Sequence, residues 1–351
     1  MNSKKWLAAL LACVMLIGTL AGCGGNGGSG STPPPASSDS SDSGSDASGS
    51  DASGDAGSET KELKDIHVGF VVKSLADSFY VLMKAGAEAK AEELGIQLTF
   101  IAPNSESDTQ GQVDMIQNLL GQNIDALCVA PSSVEAVLPV FEQADSMGIP
   151  ILAVDNDTIF ENKLTFIGTG SEAAGELGGQ YAAEQVGEGA KAIILRGRLG
   201  DSNHDAREAG FTKGLEAGGV EILEVKACDS EAEKGMNAMQ DLMNRYPDID
   251  IVCTTADSMA QGAQRAIEQA GVDIPVLGFD GTIPVAEMTA QGLFMGTVAQ
   301  DPYNMGVVGV EEAVKAVQGE HVEPRIDTGA KIVNQENAAE FVADLNAKMG
   351  N

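Results

Sequence analysis

The stretch of this chain best suited to chemistry is Ile274 to Pro284, IPVLGFDGTIP. It reads as a buried strand over Ile274 to Phe279, then Asp280, the flexible Gly281, Thr282 as a candidate helix cap and Pro284 in a first helical turn. In an open parallel α/β sheet that pattern sets Asp280 at the carboxyl edge of a strand, where ligands of such sheets bind. A related unit stands far upstream at Ile149 to Asp157, IPILAVDND, and brings Asp155 and Asn156 to a second strand end. Lys73, Asp77, Phe79 and Tyr80 follow another strand-like run, and Asp257 follows one in the second half. Carboxylates can each accept two hydroxyl hydrogen bonds, a guanidinium fork can donate to vicinal oxygens, and an aromatic face covers the apolar side of a sugar ring. Together these groups suit a small polyhydroxylated molecule. The competing reading of any one of them is a helix cap, which is expected for about half of such a set.

Enzyme constellations are poor by comparison. The three histidines, His67, His204 and His321, sit in no nucleophile elbow, paired-His helix or phosphate loop, and each is expected at a surface or helix end. No cofactor is implied. Cys128, Cys228 and Cys253 have no close pair and no metal-type spacing, which leaves neither a disulfide framework nor a zinc site. Cys128 and Cys253 lie in apolar runs and read as small buried hydrophobes. With 52 acidic and 21 basic residues the chain carries a net charge of −31, which argues against nucleic acid or an anionic lipid surface as partner.

The elements that must position these groups alternate steadily. Strand-like runs at 67–72, 97–101, 126–129, 150–154 and 164–167 are separated by helical patterns, and the alternation resumes with strands near 192–195, 220–225, 249–254 and 274–279. Repeated strand and helix units with short turns imply parallel sheets with right-handed crossovers, arranged either as two doubly wound lobes or as a single barrel. The tail adds strands at 294–299 and 326–333 and helices at 302–318 and 338–349. If these last pieces return to each lobe, the chain crosses between lobes several times and forms a hinge.

The first 23 residues read as an export signal. Lys4 and Lys5 precede an apolar run from Trp6 to Leu20, too short to span a bilayer, and Leu20-Ala21-Gly22-Cys23 ends it. That ending resembles the lipobox of bacterial lipoproteins, which implies lipidation at Cys23 and an anchor on the outer face of the cytoplasmic membrane. From residue 24 to about 62 the chain is Gly, Ser, Asp, Pro and Ala for most of its length, a composition that predicts a disordered tether.

Taken jointly, VGFVVKSLADSFY, PILAVDND, DAREAGF, TTADSMAQGA, VLGFDGT and TVAQDP resemble the type I periplasmic-binding family, closest to its ribose-binding group of ABC-transporter receptors. The resemblance runs from about Ile66 to Val333. It implies two doubly wound lobes, 63–169 plus 301–327 and 170–300 plus 328–351, joined by a three-strand hinge with crossovers near Thr169, Asp301 and Asp327. It implies ligand contacts from Asp77, Phe79, Tyr80 and Asp155 on one lobe, from Arg207 and Asp280 on the other, and from Gln300 at the hinge. Lys73, Asn156, Ala256 and Ser230 depart from the ribose pattern, so a different small sugar or polyol is expected. Lys73 either contacts the ligand or pairs with a carboxylate such as Asp77, and a Lys at this place is also a feature of autoinducer-2 receptors of the same fold.

The expectation is therefore a monomeric, non-enzymatic receptor delivering its ligand to an ABC permease. A sensor feeding a chemoreceptor or kinase, and a secreted sugar-acting enzyme, are the alternatives. A transcription regulator of this fold would need an N-terminal helix-turn-helix, where this chain carries a signal and an acidic tether.

Overall fold

The computed structural model describes residues 61–350. The signal, Cys23 and most of the tether segment lie outside the described residues. Among the described residues no helix is long and apolar enough to cross a membrane.

Two six-stranded sheets divide the chain. The first holds β1 (His67–Val71), β2 (Gln97–Ile101), β3 (Ala126–Val129), β4 (Ile151–Val154), β5 (Thr165–Gly168) and β11 (Arg325–Asp327), in the order β11-β5-β4-β3-β1-β2 and parallel throughout. The second holds β6 (Lys191–Arg196), β7 (Glu221–Ala227), β8 (Ile251–Thr254), β9 (Val276–Asp280), β10 (Gly296–Ala299) and β12 (Lys331–Asn334), in the order β12-β10-β9-β8-β6-β7. This is the pair of α/β lobes, and the single barrel is excluded. Two departures from expectation concern the tail. The run 326–333 is two strands and not one, because Gly329, at φ +76°, breaks it and sends β11 and β12 to different sheets. β12, which follows β11 of the other sheet after a short turn, pairs antiparallel with β10.

Helices cover both faces of each sheet, which explains the near-continuous apolar character of the central strands. In the first lobe Val68, Phe70 and Val72 face α1 (Ser78–Leu94) and α9 (Pro302–Val317), packing with Met83, Ala87, Met305 and Val310. Val71 points the other way, toward the side covered by α2 (Thr109–Leu120) and α3 (Leu138–Ser146). In the second lobe Ile193, Leu195 and Val252 meet α6 (Ala232–Arg245) and α7 (Asp257–Ala270). On its opposite face Ile194, Cys253 and Phe279 meet α4 (Ser171–Val186) and α5 (Ser202–Ala217). Cys128, Cys228 and Cys253 are all free and buried.

The chain passes between sheets three times, after β5, after β10 and between β11 and β12. Asp327 ties two of these passages together by accepting from Gly170 N at 3.1 Å and Gly329 N at 2.8 Å.

The α4 and α5 helices approach closely enough that backbone meets backbone. A Cβ on Gly210 would lie 2.1 Å from Glu172 O. Gly210→Ala must therefore separate the two helices, and chemical denaturation is expected to register a loss of roughly 1–3 kcal/mol or more.

Candidate functional site

The carboxyl edges of both sheets turn toward one crevice of about 920 Å³. On the second lobe, β9 ends in Asp280, whose φ of +122° is costly for a residue with a Cβ. The strain is held by what the carboxylate does: Oδ1 accepts from Arg207 Nη1 at 3.1 Å and from Gln300 Nε2 at 2.8 Å. Asp280 does not cap the helix that follows it. Arg207, in α5, is fixed in turn by donating to Thr255 O at 3.0 Å and by lying 4.2 Å from the centre of the Phe279 ring. Burial pushes the Asp280 carboxyl up and the Arg207 guanidinium opposes it.

The first lobe contributes a second carboxylate and two rings. Asp155 leaves β4 in a left-handed turn at φ +62° and accepts from Tyr80 Oη at 2.8 Å. Asp77 is both a cap and a crevice residue: its side chain accepts from Phe79 N at 2.9 Å at the start of α1. Burial raises the Asp77 carboxyl and drives the Tyr80 hydroxyl well above its ordinary range. Phe79 and Tyr80 meet edge to face, with ring centres 5.2 Å apart.

Lys73 is buried behind this wall. Its ammonium donates to Asn156 Oδ1 at 2.8 Å and lies 3.7 Å from Asp155 Oδ2 and 4.0 Å from Asp201 Oδ2. It thus pairs internally, with Asp155 and Asp201 in place of the Asp77 considered from sequence. Burial alone would lower its proton affinity, but Asp155, Asp201 and Glu106 carry it above the usual lysine value.

Eight of the ten residues singled out from sequence line the crevice: Lys73, Asp77, Phe79, Tyr80, Asp155, Arg207, Asp280 and Gln300. Two do not. Asn156 faces an adjoining polar pocket of about 330 Å³ and bonds to Lys73 and Asn203. Asp257 is fully buried, where it accepts from Thr282 N, Thr282 Oγ1 and Thr297 Oγ1, each at 2.8 Å, and so braces β9 and β10 from behind. Thr282, read as a cap, spends its hydroxyl on this bond instead.

Sequence reasoning passed over Glu106, Asp201, Asn203 and His204, all of which line the crevice. The residues preceding DAREAGF, Asp201-Ser202-Asn203-His204, carried the available signal: an Asp that caps the helix. Asp201 accepts from Asn203 N and His204 N, and although burial raises its carboxyl, Lys73 and the bond from the His204 backbone N–H bring it down to about 2. His204 is at a helix end as expected but is only half-exposed. Its Nδ1 bonds to Thr255 Oγ1 at 2.8 Å and its Nε2 to Ser230 Oγ at 2.9 Å, while burial and then Arg207 depress it to about 3. A neutral imidazole with both nitrogens engaged is a strut, not a general base. Among the described residues no cluster of His, Cys, Asp and Glu could hold a metal ion.

Two α/β lobes whose strand ends share one polar crevice define a receptor that encloses a small polar solute. The chain belongs to the family described as periplasmic binding protein domain, whose profile matches residues 68–321. The ribose import binding protein RbsB of Salmonella typhimurium is 32% identical over 267 residues, covering 76% of this chain and 90% of that protein. An ABC transporter solute binding protein from Mycobacterium smegmatis, solved with bound glycerol, is 29% identical with a TM-score of 0.73, covering 79% of this chain and 97% of that one. A third, from Bacillus halodurans C-125 with bound myo-inositol, is 26% identical with a TM-score of 0.73, covering 81% and 99%.

Proposed function

We propose that this chain is an extracytoplasmic solute receptor that closes two lobes over one small sugar or polyol and delivers it to an ABC-transporter permease. The observation that carries the reading is the convergence of Asp155 from one sheet edge with the Asp280, Arg207 and Gln300 cluster from the other on a single crevice. Two carboxylates, a guanidinium and an amide offer both acceptors and donors to neighbouring hydroxyls, and Phe79 offers a ring face. Contacts drawn from both lobes exist together only when the lobes are closed, so the ligand shifts the hinge equilibrium toward the closed form. The ligand-contacting set is Asp77, Phe79, Tyr80, Asp155, Arg207, Asp280 and Gln300. Asn156 and Asp257 act behind it.

In the same reading the protein is a monomer and turns nothing over. Its folded part comprises 63–169 with 301–327 and 170–300 with 328–351. Residues 24–62 tether it to lipid on Cys23, which keeps it at the outer face of the membrane where the permease is.

A thermal-shift screen of pentoses, hexoses, inositols and autoinducer-2 tests the proposal. At ligand concentrations about a hundredfold above Kd, mass action stabilises the folded state by about 2.7 kcal/mol, so a saturable rise of a few degrees is expected for at least one compound, recovered unchanged. Consumption of the sugar, or a response confined to apolar or anionic compounds, overturns it.

A further inference from the structure

A set of direct bonds joins the two lobes along one edge of the crevice, and no ligand takes part in any of them. Asn203, near the start of α5 in the second lobe, donates from Nδ2 to Asn156 Oδ1 at 2.7 Å and to Asp155 O at 3.1 Å in the first. Asn156 Oδ1 also accepts from Lys73 Nζ, whose ammonium lies between Asp155 of its own lobe and Asp201 of the other. Alongside, Arg198 of the second lobe donates from Nη2 to Ser132 O of the first at 3.0 Å.

The backbone is shaped to make these bonds. The left-handed turn at Asp155 presents its carbonyl to Asn203, and Ser171 Oγ, 3.4 Å from Asn203 Oδ1, holds the amide from behind. Lys73, Asp155, Asn156 and Asp201 are all largely withdrawn from solvent, with side chains of Lys73, Asp155 and Asp201 10%, 5% and 9% exposed. A buried ammonium needs its partners in place. Two of those partners come from its own lobe and one comes from across the crevice.

We propose that Lys73, Asn156, Asn203 and Asp201, with the Arg198 to Ser132 bond beside them, form an interlobe latch that biases the ligand-free protein toward the closed form. Lys73 is then a positioning residue and not a reader of the ligand. The closed conformation is populated before the ligand arrives, and a ligand binding to an already assembled site is spared the reduction in apparent affinity that a rarely populated competent state imposes. The latch is built from this chain alone and holds whatever the solute is.

Small-angle X-ray scattering of the whole ligand-free protein tests this without any ligand, so its outcome is independent of the proposed function. Asn203→Ala and Lys73→Met are expected to raise the radius of gyration above that of the parent, while Lys73→Arg, which keeps the charge and a donor, restores the parent value. Arg198→Ala removes an exposed side chain that the fold does not need, and it is expected to shift the radius in the same direction. A change confined to stability, with the radius of gyration of folded Arg198→Ala and Asn203→Ala equal to the parent's, overturns the proposal. An equal radius in all variants means that the lobes are open, or closed, irrespective of these bonds.

Discussion

Asp280→Ala is expected to abolish the thermal response to every ligand that shifts the parent protein, weakening affinity by about a hundredfold or more. Asp280 is the point where three supports meet: the end of β9, the Arg207 guanidinium and the Gln300 amide. Removing its carboxylate takes away an acceptor for the ligand and also leaves a 5% exposed Arg207 without its charge partner. Each hydrogen bond that a charged acceptor makes to the ligand contributes about 1.5–3 kcal/mol, and each 1.4 kcal/mol is tenfold in affinity. Arg207→Ala removes the same pair from the other side and is expected to match it. The ligand-free fold should survive both changes, because the core of the second lobe around Phe211, Phe279 and Leu277 is left in place. Asp280→Asn separates charge from shape. It keeps an acceptor for Arg207 and Gln300 but loses the anion, so an intermediate loss is expected. Ligand responses equal to the parent's in both alanine variants would remove Asp280 and Arg207 from the binding surface.

The strand-end carboxylates could be found in the sequence because the pattern that signals them is local. A buried apolar run that stops at an Asp and a Gly says where the strand ends, and in a parallel sheet that end is the ligand edge. Asp155 and Asp280 satisfy this and both reach the crevice. Asp257 also follows a buried strand, yet it turns inward, because its partner Thr297 lies on β10 forty residues away in the chain. No local pattern encodes that partner. The same limit explains Asn156, which is directed by Lys73 and by Asn203 of the other lobe. Glu106 stands in a loop without hydrophobic period, and His204 looks like any polar residue in a first helical turn until Thr255 and Ser230 close around it. The tail was misread for a related reason: 326–333 has the length and apolar content of one strand, and only the requirement that two sheets each gain an edge strand divides it at Gly329.

Asp257→Asn is expected to remove a pH dependence of stability that the parent protein shows between about pH 4 and pH 7. The Asp257 carboxyl lies fully buried, and burial, outweighing the donors Thr282 and Thr297, pushes it up to about 7, with Asp77 adding to the rise. In the unfolded chain the same group titrates near 3.9. Between those values the folded protein holds a proton that the unfolded chain has released. Stability from this group is therefore complete below about pH 4, declines as the pH rises, and is lost above about pH 7. At about 1.4 kcal/mol for each tenfold change in proton affinity, the loss reaches on the order of 4 kcal/mol, shared with the neighbouring Asp280, whose carboxyl is raised as well. Asparagine fits the same place: its oxygen can accept from Thr282 N and Oγ1, and its amide can donate to Thr297 Oγ1. It carries no titratable proton. Urea denaturation at pH 4 and pH 8 should then find the variant close to the parent at pH 4 and more stable than it at pH 8. Asp257→Ala, by contrast, leaves the two threonine hydroxyls without an acceptor and should be weaker than Asp257→Asn at both pH values by about 1–3 kcal/mol. An identical decline with pH in the parent and in Asp257→Asn would show that the carboxylate is ionised throughout and that its three donors outweigh its burial.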